Sequence, residues 1–286
     1  LAEIRGLDFG RFDARGRGEP RNQGYEYNWA RSDATTDDLI RTGQHTGLAA
    51  QVACAKVAIV FVFTGGNDFI NAMKSPDPAA ALDDVLPRAQ ANYRVAVRTI
   101  LEASPKVQLV LATVPDICNL PEFAVPIREG GIPKPLAHTY ARAIGRYNAQ
   151  IRSFAATEPR VAIIDLDLAT RAANLVSPDH VFVAGRRLDR LRPGNDLEHF
   201  FLADVRHPGT LGQSMLARMF VDMINYRFGA GIAPLGDREV FDFAASLSAA
   251  PPPARDRLAT IDRNSTGRPE GQLHQVTAVL NGSSGR

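Results

Sequence analysis

Three runs of consecutive apolar residues mark the chain: Val57-Ala-Ile-Val-Phe-Val-Phe-Thr64, Val107 to Val114, and Val161-Ala-Ile-Ile-Asp-Leu166. None alternates apolar with polar positions, so each reads as a strand covered on both faces, the pattern of a parallel sheet. Between the runs, apolar residues recur at helical spacing. Leu82 to Ala103 sets Leu86, Tyr93, Val97 and Ile100 on one face, Leu136 to Ala156 forms a second helix, and Leu211 to Phe228 forms a third that Gly229 ends. Thr35 or Thr36 can cap a helix that starts at Asp37 with acidic residues in its first turn. That helix is expected to run to about Ala55, with a break around Gly43 and Gly47. Strands separated by helices give an α/β fold with a parallel sheet.

Elsewhere the pattern is weaker. Residues 1–24 are rich in Gly and Arg and read as a surface loop, with a helix end before Gly6. Tyr25 to Ala30 alternates large and polar residues and reads as a short strand. Residues 117–135 carry enough Pro and Gly to predict a long loop, and His180 to Leu191 predicts a hairpin turning near Gly185. From Ala244 the periodicity collapses into Pro251-Pro-Pro253 and scattered Arg and Gly. We therefore expect one domain over 1–243 and a linker or disordered tail over 244–286, with room for one short strand at Gln275 to Leu280. No internal repeat is visible.

Composition narrows the function. The formal net charge is +2, and only four lysines (Lys56, Lys74, Lys106, Lys134) stand among the 33 basic residues, which are spread along the chain. Nothing predicts a nucleic-acid partner. Cys54 and Cys118 lie in apolar surroundings and read as two small buried residues; neither Cys-x-x-Cys nor His-x-x-x-His spacing occurs, so no metal is expected. No apolar run reaches the ~18 residues of a membrane span. Neither phosphate-cradling glycine signature, G-x-G-x-x-G or G-x-x-x-x-G-K-[ST], is present, so a nucleotide-binding reading ranks last.

Two short strings carry the candidate chemistry. Gly65-Gly66-Asn67-Asp68 closes the first apolar strand, at the sheet edge where ligands bind in open α/β folds. Its glycines let a substrate approach the backbone, and the Asn67 amide can donate to an oxyanion, worth about 3–4 kcal/mol in known cases. A plain Gly-Asn turn with Asp68 as a helix cap is the bland alternative. Asp204-Val205-Arg206-His207-Pro208 precedes the last helix. There His207 can act as general base with Asp204 fixing its tautomer. Two loop-capping residues are the alternative reading.

Together these strings resemble the SGNH/GDSL serine ester hydrolases. Gly65-Gly66-Asn67-Asp68 looks like that family's block III, Asp204-x-x-His207-Pro208 like block V, and Asn28-Trp-Ala-Arg-Ser-Asp-Ala-Thr35 like block II, over about residues 1–235. The resemblance implies a three-layer α/β/α, doubly wound, flavodoxin-like parallel sheet. It makes His207 the catalytic base and Asp204 its orienter. Asn67 and the backbone N–H of residue 33 become oxyanion donors, with Gly66 beside them. It implies an ester substrate (lipid, small acyl or acetylated sugar), no cofactor and no metal, and leaves the oligomeric state open.

Two departures accompany the resemblance. Asp33 stands where the family has Gly, and its carboxylate is expected to lower activity unless it points away. The Gly-Asp-Ser string of block I is absent upstream of block II. In the family that string ends the first, central strand, flanked by the strands that would here be Tyr25–Ala30 and Val57–Thr64. Its loss would leave unpaired backbone in mid-sheet. We therefore expect a missing N-terminal segment carrying the strand and the serine, no nucleophile in this chain, and little turnover without it. Export to the periplasm or the outside is the expectation for location. Ser32, Ser75, Ser104, Ser153 and Ser177 offer no triad geometry, and His45, His138, His180, His199 and His274 read as surface or structural residues, with His199 near the pocket. The competing function is a non-catalytic carbohydrate- or surface-binding module on the same scaffold.

Overall fold

The computed structural model describes residues 1–13, 24–249 and 276–280. Ala2–Arg5 forms a single turn, α1, and Phe12–Asp13 (β1) pairs antiparallel with Gly24–Tyr25 (β2). The expected strand at Tyr25–Ala30 is not formed. Only Tyr25 pairs, in β2; beyond it the Asn28 N–H bonds back to the Tyr25 carbonyl and the Asn28 side chain accepts from the Ala30 N–H, so the segment coils into turns and does not join the main sheet. Thr36–Arg41 (α2) begins one residue earlier than predicted. Thr35 and Asp38 form a reciprocal capping box there. The predicted break falls at Gly43, whose φ is 68°, and Gln44–Ala53 (α3) follows, with Gly47 inside it against the Trp29 ring.

The three apolar runs form Ile59–Val62 (β3), Gln108–Ala112 (β4) and Val161–Ile164 (β5). Gly66–Met73 (α4) and Pro78–Ala103 (α5) connect β3 to β4. The long loop expected over 117–135 is instead a 3₁₀ turn at Ile117–Asn119 and a helix, Pro121–Glu129 (α6). Pro121 starts that helix, where no N–H is needed, and Gly130 ends it with φ 84°, so the residues that suggested a loop are its boundary marks. Lys134–Thr157 (α7) leads to β5, and Leu166–Val176 (α8), capped by Asp165, follows it.

The hairpin forms as predicted, with His180–Val183 (β6) against Arg186–Asp189 (β7). Thr210–Phe228 (α9) ends at Gly229. Asp237–Ala249 (α10) runs through the expected boundary at 243, because Val240 and Ala244 on one face are buried in a cluster with Leu188 and Leu211. Of the supposed tail, Val276–Leu280 (β8) is a strand of the main sheet, and residues 250–275 and 281–286 lie outside the described residues. Cys54 is exposed at the end of α3, contrary to expectation, while Cys118 is half-buried; both are free.

The main sheet has the order β5-β4-β3-β8, all parallel. Alternate residues of its strands feed two separate cores. Val60, Val62, Leu109 and Leu111 pack with α3, α4, α5 and α7, whereas Ile59, Phe61, Val110 and Ala112 pack with Phe220, Val221 and Ile224 of α9. Helices on both faces make a three-layer α/β/α sandwich. The outer edge of β3, expected to lack its neighbour, is paired with β8.

Candidate active site

β3 stops at a turn that only glycine fits. Gly65 has φ 106°, and a Cβ there would stand 2.5 Å from the Tyr147 hydroxyl, which itself donates to the Thr64 carbonyl at 3.2 Å. The turn hands the chain to α4, with Gly66 as its first residue. Its first-turn N–H groups therefore face the carboxyl edge of the sheet, where the helix dipole favours negative charge. Asn67 is buried, and its Nδ2 donates to the Ala34 carbonyl at 3.1 Å. That bond ties the turn after β3 to the segment before α2.

A second tie runs beside it. The Asp68 carboxylate accepts from the Thr36 N–H at 2.9 Å and the Thr36 hydroxyl at 2.6 Å. Asp68 therefore caps the neighbouring helix and not its own. Burial pushes its carboxyl up to about 6, against the lowering effect of the Thr36 bonds. Asp33 lies in the adjoining turn at φ 55°, the left-handed region that suits glycine. Its carboxylate is exposed, and Asp33 does not line the cavity described below.

The opposite wall comes from the loop before α9. His207 Nδ1 lies 2.6 Å from Asp204 Oδ2, and the Asp204 carboxylate also accepts from the backbone N–H groups of Arg206 and His207 at 3.0 and 2.9 Å. Burial raises the Asp204 carboxyl, but these donors outweigh it and hold the group below the ordinary carboxylate range. With Nδ1 engaged, Nε2 is the nitrogen left to exchange a proton with a substrate. The loop is narrow and strained. Val205, β-branched, has φ 63°, and the Leu202 N–H bonds the His207 carbonyl across it.

Glu122 holds that loop in place and was not legible in the sequence. It accepts two bonds from the Arg206 guanidinium, at 2.9 and 3.1 Å, and pairs with Lys74 at the end of α4. Burial raises the Glu122 carboxyl, and the two cations bring it below its ordinary value. One carboxylate on α6 thus links the histidine loop to the helix that carries Asn67.

The turn after β3 and the histidine loop border one cavity of about 480 Å³, an ordinary size for a small-ligand site. Ala34, Gly66, Asn67 and His207 line it together, and its body is apolar, with Phe61, Phe63, Leu216 and Phe220 among its walls. Two arginines reach it. Arg206 is paired as described, and Arg190 is buried, its guanidinium lowered by burial and donating to the Ser177 carbonyl at 3.2 Å. His199, expected near the pocket, pairs with Asp196 at 2.7 Å and lines no part of it. His45 is buried beside the Leu39 carbonyl, and His180 sits in a cluster with Ser177 and Asp179. Among the described residues no helix is long and apolar enough to cross a membrane.

The convergence of these segments at the sheet's carboxyl edge and the three-layer arrangement are those of an open parallel α/β sheet. The GDSL-like lipase/acylhydrolase family model matches residues 11–213, and the chain belongs to that family, whose members are hydrolases that act on esters. No curated protein matches it.

Proposed function

We propose that the protein hydrolyses carboxylic esters by serine-type acyl transfer, with His207 as general base and acid and Asp204 as its orienter. The carrying observation is that His207, Asn67 and Gly66 line the same cavity from different elements. In this reading Asn67 Nδ2 and backbone N–H groups at the start of α4 and near residue 33 stabilise the oxyanion. His207 takes the nucleophile's proton on attack and passes it to the departing alcohol.

The apolar body of the cavity supports an acyl chain as the bound part of the substrate. Each buried methylene contributes about 0.8 kcal/mol, or roughly fourfold in kcat/KM, until the space is filled. A series of p-nitrophenyl esters from acetate to decanoate tests this. The expected outcome is a kcat/KM that climbs over the first few methylenes and then levels, and that His207→Ala lowers by at least about 10³-fold at every length. Hydrolysis that is indifferent to His207 would reject the mechanism. Tight retention of such esters without turnover would favour a binding module instead.

A further inference from the structure

Arg190 is a buried cation without a counter-charge. It follows β7, is only 8% exposed, and lines the cavity that holds His207 and Asn67. Its Nη1 donates to the Ser177 carbonyl at 3.2 Å, and among the described residues no other acceptor takes a guanidinium N–H. A guanidinium has five donors. The unused ones are not enclosed as buried orphans, so they open onto cavity space. Burial alone acts on the Arg190 guanidinium, with no carboxylate to oppose it. Asp189, Asp196 and Asp179 are committed elsewhere, to Arg192, His199 and His180. The one carboxylate that lines the cavity, Asp116, accepts from the Cys118 N–H, and the cation that acts on it is Arg171.

A smaller cavity of about 200 Å³ adjoins the first, and Asn119 and Arg190 border both. The exposed Arg128 of α6 and Asn174 of α8 complete the polar lining of the small cavity, and no acidic residue lines it. A buried cation with no partner costs the fold stability, so its place at the junction of two cavities calls for an anion from outside the chain. Two guanidinium groups and two amides around a space free of carboxylates suit an oxyanion. A guanidinium meets a carboxylate or a phosphate through a two-pronged, charge-assisted hydrogen bond.

We propose that Arg190, with Arg128 beside it, binds an oxyanion carried by the molecule that fills the main cavity, so that the preferred substrate is an ester bearing a carboxylate or phosphate group. The inference rests on the ester-hydrolase reading and names the substrate class of that site. In a cavity whose body is apolar, one buried cation both orients the ligand and favours charged esters over neutral ones of the same size. Arg190 touches no reacting atom in this account. It determines specificity and takes no part in the acyl transfer.

The test titrates the full chain with hexyl phosphate, hexanoate and neutral hexanol by calorimetry, beside hydrolysis of p-nitrophenyl hexanoate. At least one of the two anions is expected to bind about 10-fold or more tightly than hexanol, and the tighter of them tells phosphate from carboxylate. Arg190→Gln is expected to remove that advantage and leave hexanol affinity unchanged. Arg128→Gln is expected to weaken the anions by a smaller factor, and His207→Ala to leave the preference in place. Anions no tighter than hexanol in the native chain, a preference that survives Arg190→Gln or vanishes with His207→Ala, or equal losses for all three ligands in Arg190→Gln would overturn the assignment. Hydrolysis of the hexanoate ester would then still support the ester-hydrolase reading. Arg190-dependent anion binding without hydrolysis keeps the anion site and rejects that reading. If Arg190→Gln fails to fold, a crystal structure of the native chain with hexyl phosphate decides: phosphate oxygens within hydrogen-bond reach of Arg190 are expected, and a headgroup lodged elsewhere overturns the proposal.

Discussion

Asp68 carries a cost that the neighbouring Asn67 does not. Its carboxylate is buried with Thr36 as its bonding partner, and its folded value of about 6 lies above that of an unfolded aspartate. Stability from such a group is fully present below about pH 4, where it is protonated in both states, and is lost as pH rises through 6. A shift of that size corresponds to about 2–3 kcal/mol. Denaturant midpoints between pH 4 and 7 are therefore expected to fall in the native protein and to flatten in Asp68→Asn; an unchanged slope would show that Asp68 is not the source. Asp204 has the opposite task, remaining ionised beside His207. Asp204→Asn preserves shape but removes the acceptor that fixes the imidazole, and kcat is expected to drop by about 10²–10⁴-fold with KM little changed. Asn67, Asp204 and His207 were legible in the sequence because each sits in a short string with its own local signature. The Asp68–Thr36 and Glu122–Arg206 bonds were not, because the partners stand 32 and 84 residues apart and nothing local marks either one.

At the scale of elements, the site depends on how two helices and one loop are fastened. Gly65 turns β3 into α4 against the Tyr147 ring, and Gly65→Ala meets both a positive φ and a close contact. That variant is expected to lose about 2–4 kcal/mol, measured by urea unfolding. Glu122 on α6 fastens the histidine loop to α4. Glu122→Gln keeps a neutral bond to Arg206 but removes the charge, leaving the strained Val205 turn less constrained. The expected effect is a fall in kcat of about 10-fold or more with a smaller change in KM, because a misplaced base costs the transition state and not ground-state binding. Equal stability with unaltered kcat would mean that the loop holds itself. The elements hardest to see in the sequence were those marked by residues with two meanings. Proline and glycine over 117–135 bound α6 as readily as they could have filled a loop. The apolar face of α10 needed Leu188 and Leu211 from elsewhere in the chain to give it a purpose. The three buried strands and the long helices α5, α7 and α9 were plain, since their periodicity is carried within each segment.

Across the whole molecule, a parallel sheet with helices on both faces gathers residues from the first, second and last thirds of the described chain at one edge. That gathering is the general property of open α/β sheets, whose loops at the carboxyl ends converge on a common crevice. The place of β8 was the least legible part, because a five-residue strand in a Pro- and Gly-rich segment has no neighbours in sequence and finds its partner, β3, more than two hundred residues away. The central claim is that Asn67 and His207 face one reacting carbon from two sides. A crystal structure of the full chain after reaction with a p-nitrophenyl alkylphosphonate tests this most directly. The expected result is a phosphoryl oxygen within about 3 Å of Asn67 Nδ2, and the esterified side-chain oxygen within hydrogen-bond reach of His207 Nε2. An adduct lodged outside this cavity, or one that bonds neither residue, would contradict it.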